Sequence, residues 1–186
     1  MRSTPRPFRR IALAGCLALA FSAPAFAAGE ESDETKPPPK TQTTTTCADG
    51  KIWDKKKKEC VTPKKQSFND DELYRAAREF AYDGQYDNAI TALRLAENQN
   101  DPRILNYLGY ANRKAGRMDL GMSYYRKALQ ADENYILARS YMGQALMEQG
   151  DVQAARVQLV EIRDRGGEDT WAYRALLQSL NGYRTY

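Results

Sequence analysis

The hydrophobic pattern divides the chain into four stretches. Residues 11–21 are an apolar run, from Ile11 to Phe21. Residues 29–46 hold only Gly and polar or charged residues and Pro, with Pro37-Pro38-Pro39 and the threonines Thr43 to Thr46. A short apolar pair, Ile52-Trp53, then sits between two polar turns inside the stretch Cys47 to Cys60. After Asn69 the apolar positions recur at helical spacing, and Gly followed by a polar residue interrupts them at regular intervals. Recurrence at three and four residues predicts amphipathic helices, each ending where Gly lets the backbone reverse. Residues 29–46 offer nothing to bury, so they predict a solvated spacer.

The interruptions are themselves periodic. Gly84, Gly116 and Gly150 are 32 and 34 residues apart, Gly109 and Gly143 are 34 apart, and Ala77 lies 32 before Gly109. A period of this length means one helix pair per unit, each unit burying its apolar face against the next. In their side-chain pattern the units resemble the tetratricopeptide repeat family. Leu73, Ala77, Phe80, Gly84, Tyr86, Ala89, Leu93 and Ala96 carry the resemblance in residues 70–101, with Pro102 closing the unit. Leu105, Leu108, Gly109, Gly116, Tyr125 and Ala128 carry it in residues 102–135. In residues 136–169 it rests on Met142, Gly143, Leu146, Gly150, Ala155, Leu159 and Ile162. The departures are Asn112 in place of an aromatic, Gly121 in place of Ala, Arg139 at a large apolar position, and no closing Pro in the second and third units.

The resemblance implies an all-α fold: a right-handed α-solenoid of about three helix hairpins. Small residues such as Gly109 on the first helix of a pair are expected to admit the second helix closely. Residues 170–186 are read as a capping helix and tail, with Trp171, Ala175, Leu176 and Leu180 on one side, because a terminal repeat needs its apolar face covered.

The N-terminal run changes the picture from one domain to an exported one. Basic residues to Arg10, the apolar run, and Ala25-Phe26-Ala27 have the form of a signal peptide over residues 1–27, cleaved near Ala27. The run is too short for a spanning helix, which needs roughly 20 apolar residues. Leu13-Ala14-Gly15-Cys16 resembles a lipoprotein box, a competing reading in which Cys16 is lipidated and the protein is held at a membrane. Residues 28–46 are then a disordered linker, 47–61 a Lys-rich loop and 62–69 a second linker. With Cys16 removed one cysteine pair remains, and in an oxidising compartment Cys47 and Cys60 are expected to form a disulfide.

Charge and inventory narrow the function. The formal charge of +4 comes from Arg2, Arg6, Arg9 and Arg10; removing these from 28 basic residues leaves 24, equal to the 24 acidic ones. The cleaved chain has no global basic excess to bring it to nucleic acid. The sequence has no His, which removes the commonest general base and metal ligand. We therefore expect no enzyme, no cofactor and no metal site.

Two candidate contact regions remain. The resemblance implies that a protein or peptide partner binds along the concave face lined by the first helices, which carries Tyr74, Arg78, Asn106, Tyr110, Arg113, Ser140, Gln144 and Met147, joined by Arg103. The second region is the cysteine loop, where Trp53 offers a stacking surface and Lys55, Lys56, Lys57 and Lys58 a cationic one. Over 14 residues that loop resembles one cysteine hairpin of small chitin-binding modules, which implies contact with a cell-wall glycan. The expected role is a periplasmic or secreted interaction scaffold. The alternative is an envelope-tethered accessory protein of pilus or secretion type whose loop holds the glycan.

Overall fold

The structure, a computed structural model, describes Met1 and residues 37–182. Of the expected features, the signal peptide beyond Met1, Cys16, the first part of the linker (28–36) and the end of the tail (183–186) lie outside the described residues. The described residues form eight helices and one two-stranded antiparallel sheet.

Seven of the helices follow one another as a stacked array. α2 (Asp70–Tyr82) opens on a capping box. The Asn69 side chain accepts from the Glu72 N–H at 2.9 Å, and the Glu72 carboxylate accepts from the Asn69 N–H at 2.9 Å. Asp70, Asp71 and Glu72 in the first turn complement the helix dipole. α2 ends at Gly84, whose φ of +80° is the left-handed conformation that a glycine adopts without a Cβ clash. That conformation brings the Gln85 N–H to the Phe80 carbonyl at 2.8 Å and turns the chain into α3 (Tyr86–Leu93).

The same device recurs twice. Arg117 N–H donates to the Asn112 carbonyl at 2.8 Å between α4 (Pro102–Lys114) and α5 (Met118–Ala131). Asp151 N–H donates to the Leu146 carbonyl at 2.9 Å between α6 (Ile136–Glu148) and α7 (Val152–Asp164). α8 (Trp171–Leu180) follows a capping Thr170.

Each helix packs on its neighbour in the chain, and α2, α4 and α6 also touch in succession. The first helices therefore lie deepest. Every residue of α4 from Ile104 to Arg113 is buried, whereas α7 buries only Ala155 and Ile162. A Cβ built on Gly109 would stand 2.6 Å from the Tyr125 ring, so Gly at this position sets how closely α5 approaches α4. At Gly143 the close neighbour is Leu176 of α8, again at 2.6 Å, where the second helix of its own pair was expected. The cause is that α8 leans on α6 as well as on α7, with the Ser140 hydroxyl donating to the Ala172 carbonyl at 2.7 Å.

The N-terminal part departs from the expected solvated linker and separate loop. From Lys40 onward it is bound to the array. Thr41 to Thr45 form a helical turn, α1 (Gln42–Thr45), seated on Glu79 of α2. Glu79 is 6% exposed. Its carboxylate accepts from the Thr41 N–H at 2.6 Å, the Thr41 hydroxyl at 2.7 Å, the Thr44 N–H at 3.2 Å and the Thr44 hydroxyl at 2.5 Å. Lys40 pairs with Asp83 at 2.6 Å, which holds the Asp83 carboxyl below its ordinary range.

A hairpin follows, in which β1 (Ile52–Asp54) pairs with β2 (Glu59–Val61). The disulfide between Cys47 and Cys60 ties it to the end of α1. Ile52 enters the core of the array at 4% exposure. Gly50 lies so close to α3 that an added Cβ would meet the Asn88 side chain at 2.6 Å. Local composition promised no core because it has too few apolar groups; a carboxylate on another element supplies the partners for its threonines instead.

Candidate partner-binding site

The helical register places the nine expected residues on three adjacent first helices, and the structure brings them together as one line. It does not leave them open to solvent. Tyr74, Arg78, Asn106, Tyr110, Arg113, Ser140 and Gln144 are buried, and only Arg103 and Met147 are half-buried. Most of this face is closed off from water, and the reason is aromatic. Tyr74, Tyr107 and Tyr141 stand at equivalent places on α2, α4 and α6 and meet edge to face, with ring centroids 5.4 Å and 6.3 Å apart. Trp171 of α8 extends the ladder at 6.3 Å from Tyr141. Tyr110 fills the adjoining space, 6.1 Å from Tyr82 and 5.1 Å from Tyr141.

The polar members are held among these rings. Arg78 donates from Nε to the Tyr107 hydroxyl at 3.0 Å and lies 5.9 Å and 5.7 Å from the centroids of Tyr74 and Tyr107, a cation–π arrangement strengthened by exclusion of water. Arg103 bridges Asp101 at 2.7 Å and Asp71 at 3.1 Å and sits 5.2 Å from the Tyr74 ring centroid. Arg113 reaches Glu148 with Nη1 at 2.9 Å and lies 5.7 Å from the Tyr110 ring centroid. Gln144 donates to the Ser140 hydroxyl at 3.3 Å. Burial pushes the Tyr107, Tyr110 and Tyr141 hydroxyls above their ordinary range, so the tyrosines stay neutral and the fixed charge of the line is that of its arginines. Burial also lowers Lys114, with the Arg113 cation adding to the effect.

Two members are incompletely satisfied. Asn106 is fully buried, and neither its amide oxygen nor its amide nitrogen has a hydrogen-bond partner among the described residues. Nε and Nη2 of Arg113 make no well-aligned hydrogen bond, although the guanidinium lies against the Tyr125 hydroxyl. A buried polar group without a partner costs about 1–3 kcal/mol, and the line places both residues on one helix, α4.

The sequence reading did not single out Tyr107, Tyr141 or Trp171 as part of this surface. The signal was present, since Tyr74, Tyr107 and Tyr141 are 33 and 34 residues apart, on the same period as the glycines. Ala175, buried in α8 and 32 residues after Gly143, likewise continues the series of small residues through Ala77, Gly109 and Gly143. At the hairpin, Lys55 to Lys58 form its exposed tip. The Asp54 carboxylate accepts from the Lys56 and Lys57 N–H groups at 2.8 Å and 3.0 Å and is thereby held below the ordinary carboxylate range. Trp53 is half-buried.

Among the described residues no group of three or more His, Cys, Asp or Glu side chains is placed to hold a metal ion. Nor is any helix among them long and apolar enough to cross a membrane. No curated protein matches the chain. A family model described as a tetratricopeptide repeat matches residues 112–180, from the last turn of α4 to the end of α8. Over these residues the chain is similar to the tetratricopeptide repeat family.

Proposed function

We propose that the protein is an exported, non-catalytic scaffold that holds a protein partner along the inner line of α2, α4 and α6. Repeats of this family generally mediate protein–protein interaction, and the line has the chemistry for it. The observation that carries the reading is Asn106, whose amide is closed off from solvent and has no hydrogen-bond partner among the described residues. It gains partners where the side chains over it move aside for an extended partner segment, whose peptide N–H and C=O match its one acceptor and two donors. Arg113, which holds Glu148 with Nη1 and lies against the Tyr125 hydroxyl, adds a guanidinium suited to a carboxylate or a backbone carbonyl. The surrounding tyrosines supply apolar area with little rotamer entropy to lose. Half-buried Arg103 and Met147 mark where the line meets solvent.

Export rests on the form of residues 1–27, and the absence of His supports the non-catalytic part of the reading. A substitution at Asn106 separates binding from packing. Asn106→Leu removes two unsatisfied polar atoms and keeps a similar volume, so thermal stability should rise or hold. Peptides selected on the wild-type protein from a random display library should lose at least about tenfold in affinity, the equivalent of roughly 1.4 kcal/mol. Unchanged affinity in a folded Asn106→Leu protein would remove the inner line as the binding surface.

A further inference from the structure

The docked hairpin creates a second concavity, separate from the inner line. Between the hairpin and the first half of α2 lies a cleft of about 340 Å³, floored by Ile52 and Ala76 and flanked by Trp53 and Phe68. Its charges are unequally engaged. The Glu79 carboxylate is taken up by Thr41 and Thr44, the Glu72 carboxylate by the Asn69 N–H, and the Asp54 carboxylate by the lysine N–H groups of the hairpin turn. The cations that line the same cleft, Lys55, Lys56 and Arg75, are exposed and have no carboxylate partner among the described residues. The cleft thus presents aromatic rings beside three exposed cations free to pair, while its three carboxylates keep their charge but hold internal donors.

We propose that this cleft binds a glycan carrying carboxylate groups. The C–H face of a sugar ring would stack on Trp53 and Phe68, and its carboxylates would pair with Lys55, Lys56 and Arg75. The size suits a short stretch of rings, at the lower end of the range for small-ligand sites. The backbone argues against an acidic peptide added as a third strand, because on β1 the Trp53 N–H that would pair with it already donates to the Thr43 hydroxyl at 3.2 Å. This inference does not depend on the inner line. Asn106→Leu leaves the cleft intact, so the two readings fail separately.

The test is titration of the disulfide-intact protein with a tetrasaccharide of alternating glucuronate and N-acetylglucosamine, followed by NMR at the Trp53 indole and the Arg75 side chain. Neutral N-acetylglucosamine tetrasaccharide and a tetraglutamate peptide serve as comparisons. We expect saturable shifts at Trp53 and Arg75 with the acidic glycan, weakened by salt. The triple substitution Lys55→Gln, Lys56→Gln, Arg75→Gln should weaken it by about tenfold or more, as three partly exposed ion pairs are removed. All three positions are on the surface, so the variant keeps its thermal transition. Trp53→Ala should abolish the response. No saturable shift, equal binding of the neutral glycan, or no effect of the triple substitution overturns the proposal; equal or tighter binding of tetraglutamate overturns it in favour of an acidic peptide.

Discussion

Glu79 sits in the middle of α2, where a helical pattern alone would leave a carboxylate facing water, yet it is buried beneath a turn of threonines. Four donors converge on it from Thr41 and Thr44, and a charged acceptor makes each of those hydrogen bonds stronger than its neutral counterpart. Glu79→Gln keeps the shape but removes the charge from all four hydrogen bonds and puts an amide NH₂ against the Thr41 hydroxyl at the Oε2 position, or against the other three donors at Oε1. The expected loss is about 2 kcal/mol in the docking of residues 41–46, read as faster hydrogen exchange at Thr44 to Cys47 while α4 to α7 exchange as before. Equal acceleration throughout the array would show that Glu79 supports the whole fold instead. Asn106 makes the complementary case: a buried polar residue with no partner among the described residues is hard to account for by stability, and binding is the account given above.

At the scale of elements, the helices and their glycine turns were legible from the sequence because the information is local. Gly84, Gly116 and Gly150 each take a φ near +80°, a demand that only the immediate backbone makes. The docking of the hairpin was not legible, because it depends on Glu79 and Asn88 on elements 30 or more residues away from the turns they meet. The candidate site was readable only in part. Register identified the face carrying Arg78, Asn106 and Arg113, but how much water reaches a face depends on what the neighbouring helices put there, and the tyrosine ladder decides that. The disulfide belongs to this scale as well. Replacing both cysteines, Cys47→Ser with Cys60→Ser, opens a loop whose closure is worth about 3 kcal/mol in the chain-entropy model. Trypsin should then cut the Lys55 to Lys58 tip faster, with α4 to α7 remaining resistant. An unchanged cleavage rate would mean that Glu79 and Ile52 hold the hairpin without the bridge.

Across the whole molecule, the two ends of the array are covered by different means. The hairpin and its threonine turn lie against α2 and α3 at one end, and α8 lies on α6 and α7 at the other. Stacked repeats bury a face only against a neighbour, so the terminal ones need such cover. The cover at each end also serves function in this account: the hairpin forms the cleft with α2, and Trp171 of α8 ends the aromatic ladder that walls the inner line. The match to the tetratricopeptide repeat over residues 112–180 fits a stacked array of helix pairs. The most direct measurement is an NMR map of the shifts caused by a peptide selected on the wild-type protein. The account predicts that they concentrate on the inner line, with the Asn106 side-chain amide and the Arg113 guanidinium among the largest. Shifts confined to the outer faces of α3, α5 and α7 would contradict it.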